Sequence, residues 1–296
     1  MKFLVVLLLA GIVFGTGGYF TWKLFVEPQQ KLKDEKQMGP PAPPPDPTLP
    51  EFAKCVELQQ SAKLVEARAA FMDFIERYPQ SSKTEEAKNR VGGINSYIFL
   101  STYSAPEKIS YTVQKNDVIN RVAVKMHTTP ELILKANDLH GFMLRIGERL
   151  TVSPAEFSVT IDRRNHKVVL MNFGKFFKQY PIMDGAGMKG GQPATPAPGK
   201  TAAPTPRQPK IGGRVTEEIA WNKGQRVTPF DKDKGEAYAE ADHWIVISPS
   251  GHSLYTDHGS DAPPATKPPG GGYGLEPEAM QELAAMLNKN TPVTIE

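Results

Sequence analysis

The 296-residue chain has one cysteine, Cys55, so it can form no intrachain disulfide and no cysteine-rich metal site. It also lacks any dense run of lysine or arginine, with 35 basic residues nearly balancing 32 acidic ones for a formal charge of +3. Such a surface has little with which to neutralise a phosphate backbone, and nucleic acid is not expected as a partner. No Gly-x-Ser-x-Gly elbow of a serine hydrolase is present. Proline, by contrast, is plentiful at 27 residues, which suggests small ordered pieces joined by extended spacers.

The chain opens with Lys2, an apolar run over 3–14, four small residues and the aromatics Tyr19, Phe20 and Trp22. This pattern reads as an export signal at 1–25. Gly15 and Gly17 offer small residues for cleavage. The uncharged stretch nevertheless continues to Trp22, close to the roughly 20 residues that span a bilayer, and the aromatics followed by Lys23 suit an interface belt. An uncleaved anchor helix in the inner membrane is the preferred reading, with secretion if the signal is cut. Cys55 lies too far beyond the run for a lipoprotein. Residues 26–49 form a spacer, proline-rich over 39–47, whose fixed φ values favour a stiff polyproline II rod.

Over 50–104 apolar residues fall at helical spacing, including Phe52, Val56, Leu64, Ala67, Ala70, Phe71 and Phe74. The stretch 64–71 with its Tyr78-Pro79 stop resembles one tetratricopeptide unit. A lone unit leaves a face uncovered, so it should pack on a neighbouring helix or on another chain. A plain stalk and a docking surface for a protein partner at 50–100 both remain open.

Residues 108–153 predict a strand, two short helices and a strand. Tyr111 and Val113 begin it, Lys115-Asn116-Asp117 turns into a helix carrying Val118, Ile119, Val122 and Ala123, and Thr128 or Thr129 with Pro130 caps a second helix that Asn137 closes. Gly147, Leu150 and Val152 complete the last turn and strand. These residues resemble the LysM family of glycan-binding modules. Asn116 stands where that family has glycine and Glu148 where it has glutamine; asparagine tolerates positive φ, so the turn is expected to survive. The resemblance implies recognition of N-acetylglucosamine units of peptidoglycan between loops 114–118 and 141–145. Asn116, Asp117 and Val118 would then line one side, and Phe142, Met143 or Leu144 would cover the acetamide methyl.

From 155 to 296 the pattern turns to strands, at 157–161, 167–171, 176–182, 243–248, 253–256 and 292–295, with a helix at 277–287 and a Pro/Gly/Ala-rich insertion at 185–209. The order Val159 to Asp162, Val169-Leu170, Tyr180-Pro181-Ile182, His258-Gly259-Ser260 and Asn290-Thr291-Pro292-Val293 resembles the catalytic domain of L,D-transpeptidases. That chemistry needs a thiolate beside a histidine. At the position the resemblance assigns to cysteine stands Gly272, and at that of the arginine Gly274, which leaves His258 as a remnant. Ser250, Ser253 or Ser260 with Asp257 and His258 would be a weak serine site, and His252, Asp257, His258 and Asp261 match no familiar metal spacing. The expectation is a multi-domain α+β protein: anchor helix, helical hairpin segment, βααβ LysM module and mostly β C-terminal domain. It should bind peptidoglycan without catalysis, metal or cofactor; the alternatives are a wall enzyme with a non-cysteine nucleophile and an envelope scaffold using the helical segment.

Overall fold

The structure is a computed structural model that describes residues 46–139, 141–183, 210–228, 237–238, 240–248, 251–259 and 272–296, together with Lys23 and Glu27. The anchor expected at 1–25, nearly all of the spacer, the insertion at 185–209 and Ser250, Ser260 and Asp261 lie outside the described residues. Among the described residues no helix is long and apolar enough to cross a membrane.

Three helices come first: α1 (Leu49–Gln60), α2 (Leu64–Arg77) and α3 (Thr84–Leu100). Their apolar stripes meet in a core where Phe52 packs on Phe71 and Phe74 with ring centroids 5.7 and 5.5 Å apart. The face that a lone hairpin leaves open is covered within the chain. α3 lies so close to the following domain that a Cβ on Gly92 would sit 2.7 Å from Lys178 Cγ. Nearby, Asn95 Nδ2 donates to the Phe177 carbonyl over 2.7 Å.

The next segment is the expected βααβ unit, with β1 (Ile109–Thr112) antiparallel to β2 (Arg149–Val152) and two helices between, α4 (Ile119–Lys125) and α5 (Pro130–Ala136). Thr129 caps α5 by accepting from the Leu132 amide, with Pro130 in the first turn. Asn137 ends α5 and ties it to β2: its amide donates to Ile133 and Thr151 carbonyls and its oxygen accepts from the Thr151 amide at 2.6 Å. Val113, Ile119, Val122, Ala123, Ile133, Leu150 and Val152 form the unit's own core.

The C-terminal region carries β3 (Phe157–Asp162), β4 (Lys167–Asn172), β5 (Lys175–Pro181), β6 (Ile211–Asn222), β7 (Gln225–Val227), β8 (Asp242–Ser248), β9 (His252–Thr256), β10 (Tyr273–Leu275), the helix α6 (Pro277–Met286) and β11 (Pro292–Ile295). Strand order is β10-β9-β8-β6-β11-β3-β4-β5, with β7 on β6. A bridge between Met183, just beyond β5, and Gly274 in β10 brings the two edges together, so the sheet closes like a barrel. Three strands were not anticipated: β6, its short partner β7, and β10. β6 is charged and mostly half-exposed, which hides its alternation, and β10 sits in a glycine-rich stretch that reads as a loop.

Thr48–Glu296 forms one compact unit, rather than beads on a string. Leu132 of α5 leaves its module to join the core shared by the helical segment and the sheet. Thr129 Oγ1 donates to the Ala285 carbonyl at 2.5 Å, and the Ala155 amide donates to His127 O at 2.8 Å. Where α3, β5 and α6 meet, the Glu282 carboxylate accepts from Lys178 Nζ at 2.5 Å, from Tyr180 Oη at 3.2 Å and from the Ser96 hydroxyl. Burial and the neighbouring carboxylate push the Tyr180 phenol far above its ordinary pKa.

Candidate functional site

The segments flanking the two loops expected to bind glycan are hydrogen-bonded to each other. The Gly147 amide donates to Val113 O and the Val113 amide to Glu148 O, each at 2.9 Å, so loop 145–148 is zipped against the start of loop 114–118. Asn116 adopts φ +71°, the conformation that glycine would favour, and its carbonyl accepts from Arg121 Nη1. Asp117 turns inward along the loop, accepting from Tyr111 Oη at 2.6 Å and from the Gln114 amide at 2.7 Å. Those two hydrogen bonds hold its carboxyl below the ordinary carboxylate range. It therefore shapes the turn. Val118 is half exposed at 52 % and Met143 almost fully at 89 %, whereas Phe142 and Leu144 pack back on the module core. Ile146, in the turn before the last strand, is exposed at 72 % and adds a third apolar tip. Apolar tips beside hydrogen-bonded turns suit the amphipathic surface of a sugar, with a methyl to cover and amides to satisfy.

The second candidate site, on the sheet, is differently built. β10 runs parallel to β9, pairing Tyr273 with Leu254, and presses Gly272 onto the backbone. A Cβ at 272 would lie 2.4 Å from the Ser253 carbonyl oxygen and 3.1 Å from its carbon. At 274 a Cβ would meet Asp257, with Oδ2 2.5 Å away. Asp257 is buried; its Oδ1 accepts from the Gly259 amide at 2.9 Å and its Oδ2 from Tyr255 Oη at 3.4 Å. Burial first, then the Asp257 charge, raises the Tyr255 pKa. His258 points elsewhere: its Nε2 lies 2.7 Å from Asp242 Oδ1, a partner that no sequence spacing announces. His252 stacks on Tyr273 with ring planes 8° apart. Among the described residues no group of three His, Cys, Asp or Glu side chains is arranged to hold a metal ion. Cys55 is buried in the helical core, where burial raises its pKa and its thiol donates to Glu51 O at 3.3 Å.

Residues 111–153 match the family model of the LysM domain. The chain is also similar in structure to an L,D-transpeptidase from Mycobacterium smegmatis (TM-score 0.28, 11 % identity, covering 51 % of this chain and 63 % of that one). An Enterococcus faecium L,D-transpeptidase gives TM-score 0.27 at 17 % identity over 52 % of this chain and 58 % of its own. The catalytic domain of an E. faecium L,D-transpeptidase acylated by ertapenem gives 0.26 at 20 % identity over 48 % and 97 %. The chain thus spans about three fifths of the first two of these proteins. No curated protein matches it.

Proposed function

We propose that this is a peptidoglycan-binding protein of the bacterial cell envelope in which a LysM module holds glycan and an L,D-transpeptidase-like domain no longer catalyses. The glycan part is supported by the LysM match and by the exposed Val118, Met143 and Ile146 on adjoining loops. The non-catalytic part rests on one observation: the position that the resemblance assigns to the nucleophile has no room for a Cβ, because the Ser253 carbonyl fills it. The apolar run at 3–14 would tether the protein to the inner membrane, and tethering raises the effective concentration of wall around a weak single module.

Co-sedimentation with purified sacculi tests this reading. Deleting the module would unfold its neighbours, because Leu132 belongs to the shared core. The informative variant is therefore Val118→Ser/Met143→Ser, which alters exposed side chains only. It should stay in the supernatant while keeping the parent melting temperature. Undiminished pelleting would refute glycan binding by these loops. A carbapenem incubated with the full chain should leave its intact mass unchanged, and a stoichiometric acyl adduct would show a working nucleophile.

A further inference from the structure

The LysM module carries its charge unevenly. Over 111–125 and 141–152, the stretches that hold the glycan loops and their strands, five cations (Lys115, Arg121, Lys125, Arg145 and Arg149) stand against two acids, Asp117 and Glu148. All five cations are exposed. Both acids are committed to backbone within their own turns: Asp117 Oδ2 accepts from the Gln114 amide at 2.7 Å and Glu148 Oε2 from the Arg145 amide at 3.0 Å. Lys125 is held over the Tyr111 ring, 4.9 Å from its centroid, and Arg149 lies on β2. The other three cations gather at the loop end of the module. The bonds from Val113 to Gly147 and Glu148 close the sheet there, and Lys115 comes two residues after Val113 while Arg145 comes two before Gly147. Arg121 Nη1 donates to the Asn116 carbonyl at 2.9 Å, which places its guanidinium against the first loop. Among the described residues none of these three forms an ion pair. The module's other exposed acid, Asp138, follows Asn137, whose side chain is bonded to Thr151 farther along β2.

We propose that these loops prefer a glycan unit bearing a free carboxylate; the inference rests on the glycan-binding reading and names the sugar that it takes. A carboxylate settling beside the apolar tips Val118, Met143 and Ile146 meets ammonium and guanidinium groups that the chain leaves without a counter-charge. The two acids nearest to it are already hydrogen-bonded within their turns. The cations also stand singly on separate elements, not in a tract, which suits a strand with a carboxylate on every second sugar better than a phosphate polymer. In wall glycan that sugar is N-acetylmuramic acid, and its carboxylate is free only where the amide to the peptide has been cut. The loops thus select strands stripped of peptide.

Methyl NMR of Met143, the most exposed apolar tip, reads binding in the full chain. The ligand is a peptide-free tetrasaccharide of alternating N-acetylglucosamine and N-acetylmuramic acid, set against the same tetrasaccharide with its carboxylates converted to methylamides. The amide keeps the shape and loses the charge-assisted bonds, so it should bind at least about tenfold more weakly at about 50 mM salt. The gap should close as salt rises to about 1 M. Lys115→Gln/Arg145→Gln changes exposed side chains only, so it should keep the parent melting temperature and bind both tetrasaccharides as the parent binds the amide. Equal affinity of the parent for acid and amide, or a preference that survives in the double variant, overturns the inference and leaves the glycan reading standing. Glycerol 1-phosphate shifting Met143 as strongly as the acid tetrasaccharide overturns it too, because the loops then read charge without sugar, as at a lipid surface. No shift with either tetrasaccharide sinks the loop reading and the inference together.

Discussion

Placing a cysteine at 272 should destabilise the fold, and by how much follows from the spacing of β9 and β10. In Gly272→Cys, made in a Cys55→Ala background so that the chain carries one thiol, the new Cβ would start 2.4 Å from the Ser253 carbonyl oxygen. Carbon and carbonyl oxygen settle at about 3.3 Å or more, so the strands must part by about 0.9 Å. The obstacle is backbone, which no rotamer change relieves, and β10 is also the strand through which Gly274 closes the sheet onto Met183. Overpacking costs typically 1–3 kcal/mol, and this case belongs near about 3. For a unit of this size each kcal/mol moves the melting temperature by about 2–4 °C, so a fall of about 6–12 °C is expected by differential scanning calorimetry. Gly93 provides the control: nothing lies within 4 Å of its Cβ position, and Gly93→Ala in the middle of α3 should gain up to about 1 kcal/mol. Intact mass after carbapenem treatment of the Gly272→Cys protein should show no adduct. If that variant melts with its parent and takes up one carbapenem per chain, the steric argument is wrong and the domain is one substitution from a working nucleophile.

Glu131, half-buried on α5, has its pKa pushed up to about 7, first by burial and then by the Glu218 charge, with Lys135 opposing. The folded state therefore keeps a proton that the unfolded chain sheds above about 4.5, and this contribution to stability is full below that pH and lost as pH rises towards 7. Glu131→Gln should match the parent near pH 4.5 and exceed it by up to about 3 kcal/mol at pH 8 in urea titrations; parallel pH profiles would contradict this. Glu282→Ala leaves the Lys178 ammonium, only 21 % exposed, without its counter-charge and should cost about 3 kcal/mol. Lys178→Met/Glu282→Leu should recover most of that loss by chemical denaturation, and no recovery would mean that the network contributes more than its charges.

The resemblance to two families was legible because it lives in short patterns that local chemistry fixes. Asn116 at φ +71°, the Thr129-Pro130 cap and the Asn137 clasp each follow from what one side chain does to nearby backbone. β6 was not legible, since a strand held by ladders on both its edges can carry charges that break the alternation on which a reading depends. Nor was the pairing of His258 with Asp242, 16 residues away across two strands.

The sequence alone determined the helices, the βααβ unit, most of the later strands and the presence of glycine at 272 and 274, because composition and local periodicity are carried residue by residue. Tertiary structure decided what glycine there means. Only the packing of β10 on β9 puts the Ser253 carbonyl where a Cβ at 272 would be, and only the docking of α5 against α6 draws the LysM module into a shared core. Contacts between residues far apart in the chain depend on how faces meet, which no single stretch of sequence contains.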